Sequence, residues 1–218
     1  MKSFLSTLLL SIVSTGVFAQ IGSIATTASA KTTTAPVISV GLMSGISRDN
    51  SFPPHIPTIS SPATYALTQA FFRYNFSKHV ALQTGMGFGT IGDHTISFGD
   101  YYSNGIYSHT EKTTNGFIIE TPISMQYHFF TSKARVRPYI GVGTTMRRYY
   151  LEESTEHFGD NPGTAHTNIH TDVLYLNLTQ GLTWQVNKHW QVNQSLNFMN
   201  NSDLNTISLQ LGLAYKIK

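Results

Sequence analysis

His157, His166 and His170 stand among Glu152, Glu153, Glu156 and Asp160, so one polar stretch combines the imidazole and carboxylate donors that a divalent cation takes. Their spacing suits no rigid helix or strand, and no metal site is expected. Ser108 and His109 offer a hydroxyl beside a base, but as chain neighbours in a polar loop they form no positioned nucleophile and base, and no catalytic residue is expected. Gly87-Phe-Gly89-Thr-Ile-Gly92 spells the dinucleotide fingerprint. No helical pattern follows it and its glycines continue one face of a strand, so no cofactor is expected. Asn75-Phe-Ser77 and Asn177-Leu-Thr179 match the glycosylation acceptor, but both fall in or at the end of expected strands. The remaining chemistry is electrostatic. Glu120 is the one obvious strand acid facing Arg73, Arg137, Arg147 and Lys216, and a confined carboxylate requires partners because an unpaired buried charge is costly. A structural charge network among those five residues is therefore expected.

What must position that network is legible in the stretch Ile119 to Phe129. Ile119, Thr121, Ile123, Met125, Tyr127 and Phe129 alternate strictly with Glu120, Pro122, Ser124, Gln126 and His128. A period of two over about eleven residues marks a strand with one apolar and one polar face, of the length a tilted strand needs to cross a bilayer. Seven more segments alternate in the same way, beginning near Val37, Thr64, Val80, Arg137, Val173, Trp190 and Ile207. Short turns at Ser77-Lys78-His79, at Thr131 to Ala134 and at Asn187-Lys188-His189 alternate with wider connections: Arg48 to Pro62, Ile91 to Asn115, Arg148 to Thr171, and the briefer Met199 to Asp203. The expected fold is all-β, an eight-stranded antiparallel up-and-down transmembrane barrel.

Two regularities support this architecture. Tyr74, Phe76, Tyr127, Phe129, Trp184, Trp190 and Tyr215 gather at the short-turn end, as an aromatic girdle at one membrane interface does. The strand glycines and most strand charges fall opposite the apolar stripe, which suits a lumen filled by large polar side chains crossing over small ones. A soluble barrel would bury its apolar face instead. Gln180 and Gln194 interrupt the outward stripe near mid-depth; a turn centred on Lys188 sets Gln194 opposite Leu182 and diagonal to Gln180. They either bond each other across the strands or form a dimer contact.

The 218 residues include no cysteine and only 11% charged residues, which excludes disulfides and thiolate metal sites. The net charge of +3 is scattered without a Lys/Arg block, so no nucleic-acid partner is expected. Lys2, the apolar run from Phe4 to Val13, and the small residues Val17 and Ala19 describe a signal peptide over residues 1–19, with Ala30 as the second cleavage candidate. Residues 20–35 read as a flexible stub and 36–218 as the barrel domain.

The segments FRYNFSKHVALQTGMGFG (Phe72 to Gly89), IIETPISMQYHF (Ile118 to Phe129) and RPYIGVGTTM (Arg137 to Met146) resemble the small outer-membrane barrels of Bacteroidetes, PorT-like and OmpA-like domains among them. The resemblance implies an outer-membrane location, periplasmic termini and delivery by the barrel assembly machinery. It departs at the end of the sequence, Tyr215-Lys216-Ile217-Lys218, where many such barrels carry a terminal aromatic residue. The function expected is structural or surface interaction through the long loops, with outer-membrane lipid and an extracellular ligand or protein as partners. The alternatives are a lipid-modifying enzyme, a narrow pore, and a soluble ligand-binding barrel.

Overall fold

The computed structural model describes residues 37–50, 63–103, 106–131, 133–159, 162–201 and 204–217. The expected signal peptide and stub, most of the Arg48 to Pro62 loop, Asp160 and the Ser108 side chain lie outside the described residues. Alternation carries through to eight strands: β1 (Val37–Asp49), β2 (Ala63–Asn75), β3 (Val80–Ser103), β4 (Ile106–His128), β5 (Val136–Phe158), β6 (Gly163–Gln185), β7 (Trp190–Asn201) and β8 (Leu204–Ile217). Each pairs antiparallel with its sequence neighbours, and β1 also pairs with β8, from Ile38↔Ile217 to Asp49↔Thr206. Closure satisfies the backbone of the barrel internally, which a hydrocarbon environment demands.

The two faces differ as the alternation requires. Leu42, Ile46, Ile123, Val142, Leu174, Leu176 and Leu211 point outward and are exposed, while Ser39, Gln69, Gln126, Asn177, Asn193 and Gln210 are buried in the lumen. A protein in water would not expose that band and bury those amides; one in a bilayer does. Lumen space is made locally by small residues. A Cβ on Gly87 would lie 2.6 Å from Cγ of Glu120, so the missing side chain gives the Glu120 stem its place.

The two long connections are corrected by the structure. The stretches Ile91 to Asn115 and Arg148 to Thr171, expected as loops, are mostly strand. β3 and β4 stay paired to Ser103↔Ile106, β4 and β5 to His109↔Phe158, and β5 and β6 to His157↔Gly163. By contrast, the β2–β3 ladder ends at Ala66↔Thr90 and the β6–β7 ladder at Leu176↔Asn200. The outer parts of β3 to β6 thus form a four-stranded wall above the rim where β1, β2, β7 and β8 stop. Alternation was silent there because both faces of the wall are polar, while its many threonines still favour extended backbone. The junction of wall and barrel is marked by a register shift between Ile91 and His94, by Gly116 at φ 152°, and by Asn115 Nδ2 donating to Asp93 Oδ1 at 3.1 Å.

At the other end, two of the tight turns share one construction. Ser77 Oγ accepts the N–H groups of His79 (3.2 Å) and Val80 (3.0 Å), and Asn187 Oδ1 accepts those of His189 and Trp190 (2.9 Å each). These local side-chain bonds fix the return of the chain.

Candidate functional site

The lumen holds two charge centres at opposite ends. At the wall end, Arg147 and Glu120 are cross-strand partners on β5 and β4. Arg147 Nε and Nη2 approach Glu120 Oε2 at 3.1 and 3.0 Å, and Nη1 donates to Asp49 Oδ1 at 2.8 Å and to the Tyr65 hydroxyl at 2.6 Å. Asp49 also accepts from the hydroxyls of Tyr65 (3.2 Å), Tyr149 (3.1 Å) and Thr206 (2.7 Å). Tyr149 in turn meets the Tyr175 hydroxyl at 2.8 Å, and the guanidinium lies 5.7 and 5.5 Å from the Tyr65 and Tyr175 ring centres. Around this network, Ile91, Ile118, Leu151, Val173 and Met199 join the tyrosines in a buried apolar cluster.

At the short-turn end Arg73, Arg137 and Lys216 each bond to neutral acceptors among the described residues. Arg73 gives Nε and Nη2 to Gln83 Oε1 (3.0 and 2.7 Å) and Nη1 to Thr183 Oγ1 (3.1 Å) and Asn193 Oδ1 (3.0 Å). Its guanidinium faces the rings of Phe71 and Tyr139 at 5.5 and 5.4 Å. Arg137 donates to the backbone carbonyls of Phe130 and Lys78, both at 3.3 Å, and Lys216 Nζ lies 3.4 Å from Gln185 Oε1. The single network expected from the sequence is therefore divided. Glu120 reaches Arg147, whereas Arg73, Arg137 and Lys216 lie at the far end. Sequence reasoning also missed Asp49, placed in a loop although it continues the inward parity of Ser39, Met43 and Ser47. Between the centres, a cavity of about 20 Å³ lined by amides and hydroxyls, Gln69, Asn177 and Gln210 among them, has room for one water-sized group.

On the outer surface the short-turn aromatic residues pack edge-on in pairs: Tyr74 with Phe76 at 4.8 Å, Tyr127 with Phe129 at 5.7 Å, Trp190 with Tyr215 at 5.3 Å. Trp184 is exposed on the same outer face. His79 and His189 lie flat against Tyr127 and Tyr215. A second aromatic row, unforeseen because Tyr150 and His170 fell in an expected loop, crosses the wall strands at their base. Phe88 stacks on Phe117 (5.7 Å), Phe117 on Tyr150 (4.7 Å), and Tyr150 meets His170 (5.2 Å). Tyr127 and Phe117 lie about ten residues apart on β4, which for strands tilted by about 40° is roughly 25 Å of membrane normal, the height of an apolar band between two girdles. Gln194 lies opposite Leu182 and Gln180 opposite Leu196, in the expected register. No hydrogen bond is seen between their side chains.

In the wall, Lys112 Nζ pairs with Glu153 Oε1 at 2.5 Å, and His109 stacks on Phe158 at 4.4 Å. The three histidines do not converge. His157 Nδ1 meets Thr110 Oγ1 at 3.0 Å, His166 Nδ1 lies 3.9 Å from Glu152, and His170 packs on Tyr150. Among the described residues no cluster of three or more His, Asp or Glu could hold a metal ion.

The sequence model of a family described as an outer membrane protein beta-barrel domain matches residues 7–216, and the chain belongs to that family. No curated protein matches it. Among solved structures, the N-terminal barrel domain of Pseudomonas aeruginosa OprF is similar at 14% identity and a TM-score of 0.48, over 82% of this chain and 97% of that one. Ail of Yersinia pestis, solved with a heparin analogue, is similar at 11% and 0.47, over 84% and 99%. Neisserial surface protein A is similar at 13% and 0.47, over 83% and 97%.

Proposed function

We propose that this outer-membrane barrel is a non-catalytic anchor, closed by its lumen side chains, that holds the β3–β6 wall outside the cell as a contact surface. The observation that carries the reading is the mismatch in strand height. Four strands continue, paired to one another with two register shifts between β3 and β4, beyond the rim where the other four end. The wall rises on the order of 20–25 Å above its aromatic base. Among the described residues, its two outer strands, β3 beyond Thr90 and β6 before Leu176, each have one edge with no ladder partner, the feature to which an extended partner segment adds a strand. In this reading residues 1–19 are removed, Ala30 being the alternative site. The assembly machinery inserts residues 36–218 with both termini in the periplasm, consistent with Ile38 pairing with Ile217 at the short-turn rim.

The test uses the absence of cysteine from the natural chain. Cysteine placed at Thr164 should react with a membrane-impermeant maleimide on intact cells, and cysteine at Ser77 only after permeabilisation. A variant in which two-residue turns replace residues 93–114 and 153–167 should fold to a barrel whose gel mobility still changes on boiling. Cells carrying it should attach less well, to surfaces and to each other, than cells carrying equal amounts of the full chain. Reversed labelling, or unchanged attachment without the wall, contradicts the reading.

A further inference from the structure

The two outer edges of the wall are built differently. β3 shifts register against β4 between Ile91 and His94 and again between Phe98 and Tyr101, and Asp93 and Asp100 lie along it. Irregularities and charges of that kind blunt an edge against the addition of another strand. β6 has neither over its wall part. Its ladder to β5 runs without a shift from Val136↔Trp184 to His157↔Gly163. The nine residues Gly163 to Thr171 contain no Pro, Lys, Arg, Asp or Glu, and Thr164, Ala165, His166, Thr167 and Asn168 are all exposed. On the side away from β5 this stretch has no ladder partner among the described residues. The neighbouring β7 ends at Asn201 and β8 begins at Leu204, which leaves two residues at that corner, too few to run alongside nine.

A regular, neutral, threonine-rich edge takes up a strand through its backbone groups, and the added strand must be extended and run in a direction that pairs. A second copy of the same edge meets both conditions. β6 descends from Gly163 at the wall tip to Leu176 at the rim, so a copy standing on an apposed membrane runs in the opposite sense. A two-fold axis parallel to the membranes and perpendicular to the sheet then joins the two β6 edges as an antiparallel pair, with the same segment on both sides. Pairing all nine residues sets Thr167 opposite Thr167 and Gly163 opposite Thr171, and brings no Lys, Arg, Asp or Glu face to face with its own kind. Copies in one membrane run their β6 strands in the same sense and lack this match. Resting on the reading of the wall as an outer contact surface, we infer that the partner of the β6 edge is a second copy of this chain on an apposed membrane. Each pairing is short, and many of them between two surfaces add by avidity.

The experiment places the full chain in phosphatidylcholine vesicles of two fluorescent colours and counts mixed-colour clusters. Vesicles carrying the natural chain should cluster, and protein-free vesicles should not. Thr167→Lys in both populations, or Thr167→Asp in both, should abolish clustering, because like charges then meet at the two-fold axis. Lysine vesicles mixed with aspartate vesicles should cluster again. Thr167 is exposed, so both variants should keep the change in gel mobility on boiling that marks a folded barrel. Natural-chain vesicles that stay dispersed, single-charge populations that cluster like the natural chain, or a lysine and aspartate mixture that stays dispersed would each overturn the inference. Its failure is separate from that of the contact-surface reading. If cells lose attachment when the wall is shortened while vesicles never cluster, self-pairing alone is wrong; if attachment survives the shortening, the reading beneath it is wrong as well.

Discussion

Arg147 and Arg73 are equally buried in one lumen and are accommodated in opposite ways. Arg147, 0% exposed, sits between two carboxylates and three tyrosines. Arg73, 2% exposed, is held by two amides, a threonine and two aromatic faces. The difference shows what each end of the barrel tolerates. At the wall end the guanidinium is more than matched by the two carboxylates of Asp49 and Glu120. At the short-turn end Arg73 is held by neutral acceptors.

Substitutions can break that contrast. Arg147→Met should have the largest effect, about 3–5 kcal/mol of unfolding free energy, because Asp49 and Glu120 would remain buried without their cation. Urea unfolding in lipid would measure it. Arg73→Met leaves only neutral acceptors behind and should cost less, about 1–3 kcal/mol. Equal losses would mean that carboxylate pairing does not distinguish the two ends. Glu120→Gln should cost least, about 1 kcal/mol or below, since one cation with two carboxylates becomes one with one. A loss as large as that of Arg147→Met would show that Glu120, not Asp49, is the principal partner.

How much of this was legible in the sequence depends on contrast between faces. Along the barrel, residues such as Leu176 and Asn177 differ so strongly in polarity that strand and orientation could be read directly. The register of Gln194 against Leu182 followed from the turn at Lys188. In the wall, Thr113, Thr114 and Asn115 differ little, so paired strands looked like loop, and with them went Tyr150 and His170. The inward set of charges was readable, its partition was not. Which cation meets Glu120 depends on register across the turn after Phe129: counting outward from Thr131 to Ala134 sets Thr145 opposite Glu120, whereas the structure sets Arg147 there. Asp49 was lost by ending β1 two residues early.

The claim beneath all of this is that exposed side chains occupy two different solvents, acyl chains around the barrel and water around the wall. Leu176 and Thr164 are both exposed on β6, so arginine at each tests it directly. In a lipid bilayer, Leu176→Arg should destabilise the folded protein by about 2–4 kcal/mol, and Thr164→Arg should stay within about 0.5 kcal/mol of the natural chain. Equal free energies of unfolding for the two variants would contradict the account.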